Sequence, residues 1–273
     1  MKKESIKKLV RERYGRIAAQ NSSSCCPGSS CCGSAAPEKI SRNIGYTESH
    51  LKRIPKEANL GLGCGNPVAF ATLKKGETVL DLGSGAGIDC FLAADRVGEK
   101  GRVIGVDMTP EMIDRARKNV LKSRYRNIEF LLGEIENLPV ADNSIDAVIS
   151  NCVINLVPDK IKAFKEIFRV LKQGGRMLIS DIVLKKRLPD AIKKSVDLYT
   201  GCISGAILRI DYLQQIRKAG FKDIKIMDET EFPMEFISND STVRATEEYL
   251  KIPGKTLINI AGSISSIKVF AKK

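Results

Sequence analysis

The stretch ETVLDLGSGAGIDCFLAADRVGEKGRVIGVDMTP (residues 77–110) decides the fold. ETVLDL (77–82) is a short apolar run set between glycines, and it reads as a buried strand. Glycines follow at 83, 85 and 87, where they permit a tight turn and close backbone approach to a ligand at a helix N-terminus. GIDCFLAADRV (87–97) reads as a helix and GRVIGVD (101–107) as the next strand. Thr109 is placed to cap a further helix, with Pro110 at its first position and EMIDRARKNVLK continuing it.

The same alternation runs on toward the C-terminus. NIEFLLG (127–133) and SIDAVISN (144–151) predict two more strands. DKIKAFKEIFRVLK (159–172) predicts an amphipathic helix stopped by Gly174–Gly175, and RMLISDIVL (176–184) a fifth strand. Residues 185–210 break the rhythm and read as an insertion or lid over a substrate site. DYLQQIRKAGF (211–221) returns to helix, KDIKIMDETEF (222–232) to strand, and SISSIKVFAKK (263–273) reads as a strand antiparallel to the one before it. The expectation is an α/β chain: a mostly parallel sheet covered on both faces, with the last strand antiparallel. Ahead of this domain (61–273) lies a segment, 1–60, that opens with a basic amphipathic helix over 1–19. It continues as QNSSSCCPGSSCCGSAAP (20–37), small and polar, which reads as a mobile arm. A short helix is expected around Thr47–Ile54, then a structured loop in LGLGCGNP (60–67). There is no internal repeat.

Composition narrows the function. The 273 residues are 43% hydrophobic and 28% charged, as in an ordinary globular protein, and no apolar run approaches a membrane span. The basic N-terminus has no uninterrupted apolar stretch and no cleavage signal, so a cytoplasmic setting with reduced thiols is expected. Eight cysteines there point to soft-ion binding or redox chemistry before a disulfide scaffold. The formal charge of +13 is spread along the chain among acids, and residues 2–16 are its one dense basic cluster. Without interleaved aromatics or zinc-finger spacing, it reads as a solvated surface, with neither nucleic acid nor membrane as partner.

The glycine turn is not the dinucleotide motif, which requires a third glycine where Ile88 stands. Asp107 ends the second strand, where a carboxylate can accept both hydroxyls of a ribose. Together, VLDLGSGAG (79–87), VIGVDMT (103–109), GEIENLPV (133–140) and RVLKQGGRMLISD (169–181) resemble the class I S-adenosylmethionine-dependent methyltransferases. That resemblance implies a Rossmann-like sheet and S-adenosyl-L-methionine as cofactor. It places Asp81, Gly83, Gly85 and Gly87 at the cofactor, Asp107 on its ribose and Met108 on its adenine. Glu134, where the family usually has Asp, would face the adenine amino group.

The acceptor is marked by cysteine. The single histidine, His50, lies outside the core pattern, and nothing marks a general base. Cys64 sits in LGLGCGNP, Cys152 follows the fourth strand in SNCVINLVPDK, and Cys202 lies in YTGCISGA within the insertion. Ligands of such sheets bind beyond the carboxyl ends of the strands, so these three thiols can converge on one place. Thiolates suit thiophilic ions, and trivalent arsenic on three thiolates keeps a lone pair able to attack a methyl group without a base. Those three contexts, with RYGRIA (13–18) and the Cys-rich stretch after it, resemble the arsenite methyltransferases. The resemblance implies that Cys64, Cys152 and Cys202 bind arsenite and methylated trivalent arsenicals. It also implies an upstream relay cysteine, for which Cys25, Cys26, Cys31 and Cys32 are candidates, and a thiol reductant or thioredoxin-like partner. Cys90, inside the first helix after the glycine turn, reads as core packing. The alternative acceptors are a quinone- or sterol-like small molecule and RNA; a thiol-rich metalloid buffer or sensor is the non-enzymatic reading.

Overall fold

The computed structural model describes residues 3–19, 37–188, 205–231 and 262–273. Seven strands form one sheet: β1 Thr78–Leu82, β2 Arg102–Asp107, β3 Ile128–Leu132, β4 Ile145–Asn151, β5 Leu171–Leu184, β6 Lys222–Glu231 and β7 Ile264–Lys272. Their order across the sheet is β3-β2-β1-β4-β5-β7-β6. β1 to β5 pair in parallel, and β7 lies antiparallel between β5 and β6. This is the α/β architecture expected from the sequence, a mostly parallel sheet with its last strand antiparallel.

Alternate strand residues feed two cores. Leu80, Leu82 and Ile179 point to one face, where they meet Phe164 and Ile167 of α7 (Lys160–Val170) and Tyr212 and Ile216 of α8 (Arg209–Lys218). Val79, Ala147 and Leu178 point to the other. There they meet Phe91 of α5 (Ile88–Val97) and Ile113 of α6 (Pro110–Leu121). Helices thus cover both faces, as a largely parallel sheet requires.

Three local expectations are corrected. The helix expected to reach residue 172 ends at Val170, because the buried Leu171 is taken up by the sheet opposite Ile145. Thr109 holds the N-cap position but makes no side-chain cap. Its hydroxyl bonds to Asp107 instead, since that buried carboxylate is the stronger acceptor. The stretch before Thr47 carries a helix of its own, α2 (Pro37–Asn43), ahead of α3 (Glu48–Lys52), α4 (Pro67–Phe70) and the sheet. Of the 185–210 insertion, 189–204 lie outside the described residues. Its far end returns to β5, where Leu184 N–H donates to Ile207 O at 2.9 Å.

The first helix, α1 (Lys3–Ala19), lies against α6. Lys7 Nζ sits 2.7 Å from Glu134 and 2.5 Å from Glu136, Arg11 reaches Glu134 at 3.3 Å, and Lys3 reaches Asp159 at 2.7 Å. Burial alone would lower the Lys7 pKa, but the two carboxylates outweigh it and the lysine is held above its ordinary value. Lys7→Met keeps the apolar stem and leaves the buried Glu136 carboxylate without its cation. It is expected to cost about 2 kcal/mol, between a surface pair and a fully buried one. A denaturant midpoint equal to wild type would show that this contact does not hold α1 down.

Candidate active site

β1 pairs with β2 on one side and β4 on the other, so the strand order reverses at its C-terminal end. A cavity of about 320 Å³ opens there, where open α/β sheets place their ligands. Its wall combines the glycine turn, the ends of β2 and β4, the Gly133–Glu136 segment and the inner face of α1.

The turn is shaped by backbone that only glycine adopts freely. Gly83, Gly85 and Gly87 have φ of 64°, 52° and 100°. A side chain on Gly83 would collide with Val153. The turn is tied to β2, because the Gly83 and Ser84 N–H groups both donate to Val106 O, at 2.7 and 3.1 Å. The Asp107 carboxylate takes Gly85 N–H at 3.0 Å on one oxygen and Thr109 N–H at 2.9 Å on the other. The Thr109 hydroxyl and the Met108 N–H also donate to this carboxylate. Burial raises the Asp107 pKa, and these backbone donors oppose the rise.

Two residues of the wall each carry a buried polar atom without a partner. Ser84 Oγ and Asn59 Nδ2 are buried with no hydrogen-bond partner among the described residues. Met108, Val106 and Ile135 supply apolar wall beside them. An apolar slot with a strand-end carboxylate and unsatisfied polar atoms fits a nucleoside cofactor with a polar tail. Glu134 also lines the cavity, but its carboxylate holds Lys7 and Arg11.

Two further carboxyls line the same cavity. Asp81, at the end of β1, accepts the Cys90 thiol at 3.2 Å. Asp89, in the first turn of α5, accepts Tyr46 Oη–H at 2.8 Å and Asn151 Nδ2–H at 3.1 Å. Burial pushes Asp89 up to about 6, against those two donors. Burial and then the neighbouring Asp89 push Asp81 well above the usual carboxylate range. Cys90 is fully buried, and burial raises its thiol well above the ordinary value, so it packs as expected and remains a thiol.

Cys64 and Cys152 come together beside this cavity, in one buried cluster with Val10, Leu156 and Ile182. Cys152 lines the cavity itself. It follows β4 directly with φ of 60°, a left-handed conformation uncommon for a side chain of this kind, and its N–H donates to Ser180 O at 2.7 Å. Cys64 Sγ lies 3.8 Å from Ser180 Oγ, and its carbonyl accepts Ser266 Oγ–H at 2.7 Å. The Gly-Cys-Gly context has a steric cause. A side chain on Gly63 would press on Asn151, and one on Gly65 would collide with Ser180 Oγ. Asn151 joins the two halves of the site. Its Oδ1 accepts Cys64 N–H at 3.0 Å, while its Nδ2 reaches Gly65 O at 2.7 Å as well as Asp89.

Of the residues read from the sequence as cofactor-binding, Asp81, Gly83, Gly85, Asp107, Met108 and Glu134 line this one cavity, whereas Gly87 faces Phe130 and Phe91; Cys64 and Cys152, two of the three thiols singled out in the sequence, lie beside it. Cys202 and the four arm cysteines, Cys25, Cys26, Cys31 and Cys32, lie outside the described residues. Sequence reasoning missed Asn151, Asp89, Tyr46 and Ser180. Asn151 and Ser180 had a detectable signal, being polar residues inside the quoted stretches SNCVINLVPDK and RVLKQGGRMLISD.

Comparison with known proteins agrees with this geometry. A methyltransferase-domain family matches residues 73–248. The chain is 47% identical to an arsenite methyltransferase of Halobacterium salinarum over 254 residues, 90% of this chain and 65% of that protein. It is thus shorter than this curated relative and spans just under two thirds of it. A 2-phytyl-1,4-beta-naphthoquinone methyltransferase of Arabidopsis thaliana is 39% identical over 117 residues, 42% of this chain and 45% of its own length. Among solved structures, an arsenic(III) S-adenosylmethionine methyltransferase from Chlamydomonas reinhardtii superposes with a TM-score of 0.64 at 33% identity. The match covers 86% of this chain and 73% of the other.

Proposed function

Because this chain belongs to the arsenite methyltransferases, a family with the class I methyltransferase fold, we propose that it transfers methyl groups from S-adenosylmethionine to trivalent arsenic held on cysteine sulfur. The observation that carries this reading is Cys152: a thiol held in a strained backbone conformation, in the wall of the cavity that Asp107 and the glycine turn shape. When bound, the cofactor supplies an electrophilic methyl on a sulfonium. Asp107 takes the ribose hydroxyls, the glycine turn admits the methionine part, and Met108 packs on the adenine. Lys7 holds Glu134 at the rim.

Cys64 and Cys152 take the arsenic, with Cys202 as the third thiol on the strength of the resemblance. Each thiol replaces one hydroxyl of arsenite, forming one As–S bond and releasing one water. Thiolate is the ligand, so the site works only while its sulfur is reduced, which suits a cytosolic setting. Bringing the arsenic lone pair to the methyl group is a matter of positioning and needs no base. Methylation formally oxidises arsenic from trivalent to pentavalent, so two electrons from a thiol reductant or thioredoxin-like protein restore the trivalent form. The arm cysteines are candidates for relaying arsenic or disulfide equivalents.

A quinone acceptor is the second reading, and the Arabidopsis relative that acts on one matches less than half of the chain. It gives the Gly-Cys-Gly loop no task. The deciding measurement is a product assay with arsenite, S-adenosylmethionine and excess thiol, with arsenic species separated by chromatography and detected by element. Methylated arsenic dependent on both protein and cofactor is expected. No methylated arsenic from protein that binds the cofactor would hand the reading to the quinone class.

A further inference from the structure

A buried polar cluster behind the Cys152 thiol takes no part in the reaction described above. Cys152 leads into the short 3-10 turn Ile154–Leu156, and Asn155 at its centre is fully buried. The Asn155 amide Nδ2 lies 3.8 Å from Cys152 Sγ, within reach of an acceptor atom as large as sulfur. Sulfur bonded to arsenic has no proton to donate, so the amide serves it through N–H. The main chain of Asn155 is fixed from two other elements. Its carbonyl accepts from Lys160 Nζ of α7 at 3.0 Å, and the same ammonium donates to Val157 O at 3.0 Å. Its N–H donates to the Asp181 carboxylate of β5, which also takes Tyr212 Oη–H of α8 and Ile182 N–H, each at 2.9 Å. Lys160 is 8% exposed and Asp181 0%. Polar groups this deep are costly unless bonded, and both bond to the one residue whose side chain faces the Cys152 sulfur.

We propose that Asn155 is a positioning residue for arsenic capture: its amide N–H holds the Cys152 sulfur at the cavity wall and favours that sulfur when it carries negative charge. This rests on Cys152 as an arsenic ligand. When the As–S bond forms, the As–O bond to one hydroxyl breaks. The thiol proton goes to that hydroxyl, which leaves as water, and the sulfur that remains accepts the Asn155 N–H. A hydrogen bond with a charged partner is about twice as strong as a neutral one, so the amide favours the sulfur that is ready for arsenic over the resting thiol. Lys160 and Asp181 act through the main chain of Asn155, so their bonds survive a change of its side chain. The amide is thereby separable from the support behind it.

The test follows thiol chemistry and arsenic chemistry separately, on the full chain. First, the reduced protein without arsenic is alkylated with iodoacetamide at one pH, and each cysteine peptide is followed by mass spectrometry. The thiolate is the reacting form. Asn155→Leu, close in size, should slow Cys152 about tenfold and leave Cys64 within about twofold, the value of one hydrogen bond to a charged group. A merely structural role has the opposite sign, because a loosened wall exposes both buried thiols and both react faster. Second, steady-state methylation should show the arsenite KM raised about tenfold, with kcat within about threefold and S-adenosylmethionine affinity unchanged. Asn155→Asp replaces the donor with an acceptor at nearly equal size. It should slow Cys152 at least as much, and it keeps the test open if Asn155→Leu fails to fold. Cys152 alkylation at or above the wild-type rate overturns the positioning role. Slowed alkylation with an unchanged arsenite KM overturns the role in capture, since the amide then acts on a thiol that does not hold arsenic. Wild-type protein that binds the cofactor yet makes no methylated arsenic overturns the acceptor reading, and the capture role with it, even where alkylation slows.

Discussion

Replacing Cys152 with serine is expected to lower arsenic methylation by about a thousandfold, because a hard hydroxyl cannot stand in for a soft thiolate toward arsenic. The substitution is nearly isosteric. Serine tolerates the same left-handed backbone as poorly or as well as cysteine, and the bond from the residue 152 N–H to Ser180 O survives. Stability should therefore change by less than about 1 kcal/mol, as for substitutions that leave no cavity and no stranded polar group. S-adenosylmethionine affinity should be unchanged, since the glycine turn and Asp107 are untouched. The pair of measurements is product formation by arsenic speciation and cofactor binding by calorimetry. Arsenic turnover near the wild-type rate would remove Cys152 from the acceptor site. A parallel loss of cofactor binding would make it part of the cofactor wall instead.

The second large effect is expected at Asp107. An asparagine there loses one carboxylate oxygen and the charge, while the Gly85 and Thr109 N–H groups still point at it. The amide can accept from only one of the two donors, and its NH2 faces the other. Together with the lost ribose contacts, this should raise the cofactor Kd about a hundredfold, the value of one or two hydrogen bonds to a charged acceptor. The ribose is common to S-adenosylmethionine and S-adenosylhomocysteine, so both should weaken alike. A Kd within threefold of wild type would end the ribose role of Asp107.

Much of the fold was legible because its signals are local. The glycine spacing at 83, 85 and 87, the apolar run before it and the acid ending the next strand lie within 30 residues and need no tertiary information. The same holds for the strand-end position of Cys152. The misread boundaries are places where a distant partner wins over a local preference. Leu171 leaves its helix to pair with Ile145, and Thr109 gives up its cap for the Asp107 carboxylate. The site's polar wiring was illegible for the same reason. Asn151 stands opposite Ser180 across β4 and β5, and only that register brings both to the glycines flanking Cys64. The motif Gly-Cys-Gly was readable as a loop, whereas the two side chains that forbid anything larger there were not.

The bond from Ser266 to the Cys64 carbonyl joins groups 202 residues apart in sequence. A ribosome delivers the Cys64 loop early and β7 very late, and a domain folds as a unit once its segments are out. The sheet ends of β1, β2 and β4 that shape the nucleoside pocket are all present long before β7 can slide between β5 and β6. The Cys64 loop is therefore fastened only once β7 is in place, whereas the glycine turn is tied to β2 alone.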